Sequence, residues 1–211
     1  GFSTTSMATY EEGKLIQAAV FPVGASNITN DLAIGLKCPV KTAEIIKLSF
    51  GSALSREISN KEKIDLHQID ESLKSTVSRR FISEIIEVRL AEIFELVNNE
   101  LKLVGKSGKL PAGAAITGAG AKIPDIVELA KQELKLPAQL GIPELSDVEF
   151  VSAEFSAQSG SASGGKAQLE DLEFSVCTGL LFWAIDQSLK DQNWSMAKNG
   201  LISKILRYFL P

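Results

Sequence analysis

The period of the apolar positions changes several times along the chain, and each change predicts an element. Residues 9–23 are β-prone. Glu11-Glu12-Gly13-Lys14 supplies a turn between two short strands, the second built on Leu15, Ile16, Val20 and Phe21. Pro22 and Gly24 end that run. Ile28, Leu32, Ala33 and Leu36 then fall at helical spacing, with Thr29 or Asn30 placed to cap the helix and Asp31 in its first turn. After Pro39 a second helix is expected over residues 42–50, stopping near Gly51. Residues 56–66 are polar apart from Ile58 and Ile64 and read as a short strand and a turn.

The strongest helical period runs over residues 65–104. Leu73, Val77, Phe81, Ile85, Ile86, Leu90, Ile93, Phe94, Val97 and Leu101 recur three or four residues apart, which predicts one helix broken near residues 75–79. Gly105 and Gly108 end it. Ala114-Ala115-Ile116-Thr117 reads as a short buried strand and Gly118-Ala119-Gly120-Ala121-Lys122 as a tight loop. Pro124 is expected at the first position of a helix over residues 125–134. Residues 156–165, rich in Ser, Gly and Ala, read as a mobile loop. Residues 174–190, apolar at Val176, Leu180, Leu181, Trp183, Ala184 and Leu189, predict a buried helix. Strands alternating with helices place the chain in the α/β class.

The 211 residues suffice for one large or two small domains, and the apolar share of 45% and charged share of 23% are ordinary for a globular protein. A net charge of -4 points away from nucleic acid as a partner. Cys38 and Cys177 have no partner at metal-ligand spacing, so neither a zinc site nor a disulfide framework is implied, and a reducing cytoplasm fits. No apolar run approaches the roughly 20 residues of a membrane span, and no signal peptide is visible. The chain begins at Gly1, and Met7 lies within a Ser/Thr-rich lead into a strand, so a chain cut from a longer one is expected.

Three groups of residues carry candidate chemistry. The small residues Gly118, Ala119 and Gly120 follow a strand and precede a helix. Such a turn lets backbone N–H groups approach a polar ligand closely, although it also serves as a plain strand–helix connection. Glu44 and Lys47 share one helix face, as a ligand-facing pair or as an ion pair of small energetic weight. Leu201, Ile202, Ile205, Leu206 and Phe209 fall within an arc of about 140° on a helical projection, with Lys204 and Arg207 opposite. That pattern suits a short helix lying in lipid headgroups, and equally a last helix packed on the domain. The single histidine, His67, has no catalytic constellation around it in sequence and reads as structural or surface.

Three stretches resemble the bacterial cell-division FtsA family in order and spacing. They are Gly24-x-x-x-Ile28-Thr29-x-Asp31-Leu32-Ala33 followed by Ala43-Glu44-x-x-Lys47-x-x-x-Gly51; Arg79-Arg80 with Ile85-Ile86-Glu87-x-Arg89-x-x-Glu92-Ile93 and Val97-Asn98-x-Glu100-Leu101; and Ile116-Thr117-Gly118-Ala119-Gly120-Ala121, Pro124 and Thr178-Gly179-Leu180-Leu181. The resemblance implies an actin-like, ribonuclease H-like α/β fold without the first half of the molecule. Subdomain 2A would be residues 1–36 with 109–190, subdomain 2B residues 37–108, and residues 191–211 a linker with a C-terminal membrane-targeting amphipathic helix. It implies ATP as ligand, with Mg in the intact protein. Gly1, Thr4 and Thr5 would form the tail of the second phosphate loop, Glu44 and Lys47 would approach the ribose and adenine, and Gly118, Ala119 and Gly120 would form the adenosine motif.

The resemblance further implies that Arg79, Arg80 and Arg89 are candidates to receive the acidic C-terminal peptide of the tubulin-like protein FtsZ. Leu201, Ile202, Lys204, Ile205, Leu206, Arg207 and Phe209 would bind membrane. The expected protein is an ATP-dependent adaptor at the cytoplasmic face of the cell membrane at the division site. It would form actin-like filaments and be at most a weak ATPase, with no catalytic residue in this chain. Two alternatives share the fold. A PilM-like pilus assembly adaptor lacks the terminal amphipathic helix, and a sugar-kinase-like enzyme needs a substrate-binding half and a catalytic aspartate.

Overall fold

The computed structural model describes residues 1–144 and 171–190, with side chains to residue 187. The expected loop at 156–165 and the linker and amphipathic segment at 191–211 lie outside the described residues. Residues 1–142 form one compact unit and the remainder a second.

In the first unit, β1 (Thr5–Glu11) and β2 (Lys14–Phe21) pair antiparallel across the Glu12-Gly13 turn, where both residues have positive φ. Next come α1 (Ala25–Leu36) and α2 (Val40–Phe50). β3 (Lys63–Asp65) and β4 (Thr76–Ser78) pair antiparallel and lead into α3 (Arg79–Leu103). β5 (Ala114–Ile116) and β6 (Ala138–Leu140) pair in parallel, with α4 (Ile126–Leu134) as their crossover. The second unit contains α5 (Ser175–Lys190).

One core joins the α-helices of the first unit. Ile28, Leu32 and Leu36 form the buried stripe of α1 at a spacing of four, and it meets Ile82, Ile86, Leu90 and Ile93 of α3. Ile46 of α2 and Leu129, Ala130 and Leu134 of α4 complete it. Helices pack closely where side chains are small: a Cβ on Gly35 would lie 2.7 Å from Ile85 Cδ1. One on Gly51, which ends α2, would lie 2.4 Å from the Lys47 carbonyl oxygen.

Four expectations are corrected. Thr29 and Asn30 do not cap α1. The helix begins four residues before Thr29, with Gly24 as the N-cap whose N–H donates to Asn27 Oδ1 at 3.0 Å. Thr29 is instead buried inside the helix, because its hydroxyl has partners there. The helical reading of residues 65–78 fails as well. Leu66–Gln68 is a short 3-10 turn, and Thr76–Ser78 is a strand whose Val77 pairs with Ile64. Leu73 and Val77 still face the core, so apolar residues three or four apart arose from a turn and a strand rather than a helix.

Pro124 precedes α4 by two residues rather than opening it, and Asp125 takes the N-cap position. Finally, α5 has the predicted span, but its stripe of Val176, Leu180 and Trp183 is 68%, 61% and 62% exposed. Periodicity reveals that a stripe exists, not what covers it.

Ile86 is fully buried where α3 meets the other helices, and Ser83, one turn earlier, has a buried hydroxyl without a hydrogen-bond partner among the described residues. Ile86→Ala is expected to lower unfolding free energy by about 2–5 kcal/mol. Ser83→Ala is expected to be neutral or stabilising by up to about 1 kcal/mol, since it removes an unsatisfied polar atom. Urea unfolding of both variants checks the contrast.

Candidate functional site

The N-terminus of α1 is where distant parts of the chain meet. Its first free amide donors are taken by residues that lie far away in sequence: Ala25 N–H donates to the Gly1 carbonyl at 3.0 Å and Ser26 N–H to the Phe2 carbonyl at 2.7 Å. The approach requires a glycine at position 24. A Cβ there would fall 2.6 Å from the Phe2 oxygen, 2.7 Å from the Gly1 oxygen and 2.8 Å from the Thr4 nitrogen. Residues 1–4 thus meet the start of α1 through close backbone contact. Thr5 anchors the following strand, its hydroxyl donating to the Val23 carbonyl at 2.8 Å.

Lys47 reaches the same place from α2. It is 6% exposed, and a cation so far from water needs partners. Its Nζ lies 2.7 Å from Glu44 Oε2, 2.8 Å from Thr29 Oγ1 and 3.4 Å from the Ala25 carbonyl oxygen. Thr29 Oγ1 also lies 2.5 Å from Glu44 Oε2, so acid, base and hydroxyl form a closed triangle. The Glu44 carboxyl is pushed up by burial, but hydrogen bonds from Lys47 and Thr29 and the Lys47 charge outweigh this and hold it below its ordinary range.

The third segment arrives from β5. Gly118, with φ of +93°, breaks the chain out of the strand, and Ala119–Lys122 forms a single 3-10 turn. A Cβ on Gly120 would lie 3.9 Å from Ala25 Cβ, so this turn faces the same helix end. Beside the convergence is an open cavity of about 300 Å³ lined by Phe2, Ser26, Thr29, Asn30, Val40, Lys41 and Glu44. Its surface is largely apolar, which suits a ring system.

The structure thus brings parts of all three expected segments to the start of α1: Gly1, Thr4 and Thr5, then Glu44 and Lys47, then Gly120 of the turn that also holds Gly118 and Ala119. Sequence reasoning missed two members. Thr29 looked like a cap, although its spacing of four from Ala25 on α1 gave a signal that it could face the same helix end. Gly24 looked like a strand breaker, and only the backbone of residues 1–4 shows why it has no side chain.

The arginines of α3 lie elsewhere. Arg89 forms a bidentate pair with Asp31, Nε to Oδ2 at 2.6 Å and Nη2 to Oδ1 at 2.9 Å, and also meets Glu92 at 2.7 Å. The Asp31 contact raises the pKa of its guanidinium. Arg79 donates to Glu62 and to the Phe50 carbonyl, while Arg80 has one longer contact, 3.3 Å to Glu84. Each of the three guanidinium groups is engaged by a carboxylate.

A carboxyl held low in the folded state contributes stability that is present above its unfolded pKa and lost as pH falls through its folded value. The melting-temperature advantage of the parent chain over Glu44→Gln is therefore expected to be largest near neutral pH and to shrink through and below the carboxylate range. An advantage that stays constant or grows in acid would contradict the triangle as described.

The family model for cell division protein FtsA matches residues 1–160. Over 143 residues, 68% of the chain, the sequence is 34% identical to the cell division protein FtsA of Pseudomonas aeruginosa, and the match covers 34% of that protein. The chain spans less than half the length of the curated relatives it matches. Among solved structures it is similar to the PilM-PilN type IV pilus biogenesis complex, with a TM-score of 0.56 and 16% identity over 85% of this chain and 42% of that one. It is also similar to MreB5 of Spiroplasma citri bound to ADP, with a TM-score of 0.52 and 19% identity over 80% of this chain and 53% of that one. At such identities these two bear on the fold alone, which is actin-like. Since the family match spans every element of the first unit, the chain belongs to the cell division protein FtsA family.

Proposed function

We propose that this chain holds one wall of an ATP site in an actin-like adaptor that polymerises and tethers the FtsZ division ring to the cytoplasmic membrane. The observation that carries the reading is the convergence on the α1 N-terminus of three segments separated by some 40 to 70 residues each. Glycine-rich turns such as Gly118-Ala119-Gly120 let backbone N–H groups approach polar groups closely. In this reading Gly1, Thr4 and Thr5 face phosphate, with Mg in the intact protein. Glu44, Lys47 and the turn at Gly118, Ala119 and Gly120 face ribose and base. The MreB5 relative in fold was solved with ADP, which supports a nucleotide as the ligand class.

Nucleotide acts here as a conformational ligand rather than a substrate to be turned over quickly. Subdomain 2B, residues 37–108, receives the acidic FtsZ tail. Arg80 is the best placed of the three arginines, because an incoming carboxylate need displace only Glu84. Membrane attachment falls to Leu201, Ile202, Lys204, Ile205, Leu206, Arg207 and Phe209. One short helix binds weakly, so filament formation supplies avidity.

Two measurements test the reading. Equilibrium binding of ATP is expected to weaken about tenfold or more in Lys47→Ala, because the ammonium that docks Glu44 and α2 against the start of α1 is lost. Unchanged affinity in that variant would remove α2 from the site. Co-sedimentation with phosphatidylglycerol-containing vesicles is expected to pellet the full chain but not one ending at Asn199. If both remain in solution, the membrane role falls and a PilM-like adaptor gains.

A further inference from the structure

Ser52 and Asp125 stand outside the groups that face the α1 N-terminus, yet they join the two elements that carry those groups. Ser52 follows the Gly51 stop of α2 and is 2% exposed. Its hydroxyl donates to Asp125 Oδ2 at 2.7 Å and accepts the Leu54 N–H at 3.2 Å, which uses its one proton and a lone pair consistently. Beside this bond, Ala53 N–H donates to the Pro124 carbonyl at 2.8 Å. Two parallel hydrogen bonds thus clip the segment after α2 to the segment before α4.

Each clipped segment is continuous with a wall of the site. On one side α2 runs unbroken from Glu44 and Lys47 to Gly51, whose N–H returns to the Lys47 carbonyl at 3.0 Å. On the other, the turn bonds Ala121 N–H to Gly118 O at 2.9 Å, Ile123 N–H to Gly120 O at 3.4 Å and Ile126 N–H to Ile123 O at 3.3 Å, and so reaches Asp125 without a slack residue.

Asp125 departs from two local rules at once. Its φ of +64° lies in the left-handed region that favours glycine. At an N-cap, an aspartate ordinarily accepts from a first-turn N–H, but here it makes no such bond and reaches Ser52 instead. Glycine would adopt this backbone freely. What the aspartate adds is the carboxylate. Local rules broken together mark a position held for something other than its own helix.

The structure assigns Ser52 and Asp125 as a positioning pair whose bond sets the spacing between Glu44–Lys47 and the turn at residues 118–122, and through it the affinity for the adenosine end of a nucleotide. This rests on the nucleotide reading above. Binding geometry is sensitive to shifts of about 1 Å, so a clip of this kind acts on affinity without touching ligand.

The test compares Asp125→Gly with Asp125→Asn in the full chain. Glycine suits the backbone but removes the acceptor, whereas asparagine tolerates the same φ and keeps an oxygen for Ser52. Ser52→Ala breaks the bond from the other side. Urea unfolding establishes that each variant is folded. Amide hydrogen exchange reads the turn, and equilibrium binding of ADP reads the site.

Asp125→Gly and Ser52→Ala are expected to speed exchange at residues 118–122 and weaken ADP binding, each by about tenfold, while Asp125→Asn stays within about threefold of the parent. Parental exchange at 118–122 in both Asp125→Gly and Ser52→Ala would overturn the assignment. Equal impairment in Asp125→Asn would do the same, since the acceptor would then be irrelevant. If the exchange pattern holds but the parent does not bind ADP, the nucleotide reading falls together with the affinity half of the assignment, and the spacing half stands.

Discussion

Burying the ammonium of Lys47 is the constraint around which the site is organised. A cation removed from water must be met by an anion and by hydrogen-bond acceptors, and those acceptors must come from more than one element. Glu44 supplies the charge from one turn earlier on α2, while Thr29 and the Ala25 carbonyl supply oxygens from α1. Satisfying the charge therefore docks α2 against the first turn of α1. The start of α1 is then fixed well enough for its free amides to hold the carbonyls of Gly1 and Phe2. A polar requirement on one side chain thus positions a loop more than forty residues away in sequence.

The apolar core makes that precision possible. α1 is pinned along its length by the packing of Ile28, Leu32 and Leu36 against α3, and at its middle by the bidentate grip of Arg89 on Asp31. Arginine–carboxylate pairs of this geometry resist both translation and rotation. α4 packs on α3 and carries the chain back into β6, so the turn at residues 118–122 is anchored on both sides. The function-bearing segments are short, and they are held by helices whose placement comes from ordinary hydrophobic burial.

Much of this was legible before the structure. The strand pair, α1, α2, the body of α3, β5 and the small-residue turn follow from periodicity, Gly and Pro. The residues proposed to face nucleotide were reached through the resemblance to the FtsA family. What could not be read were the parts whose local signal points the wrong way. Leu73 and Val77 keep helical spacing while sitting in a turn and a strand. Thr29 has the composition of a cap but lies where its hydroxyl meets Glu44 and Lys47. Asp125 reads as the start of a helix opened by Pro124, yet it takes the N-cap position and its carboxylate serves Ser52, far away in the chain.

The division has a physical basis. By itself the sequence determined most of the helices and the first strand pair, which faces carry apolar stripes, and which polar residue types could face an anionic or polar ligand, because those depend on neighbours within a few positions. Only the tertiary structure decided that Lys47 is buried, that Gly24 must lack a Cβ, that the arginines of α3 are each engaged by a carboxylate, and that Ser52 meets Asp125. Burial, steric approach and ion pairing depend on groups brought close by folding, and no local pattern along the chain encodes their distances.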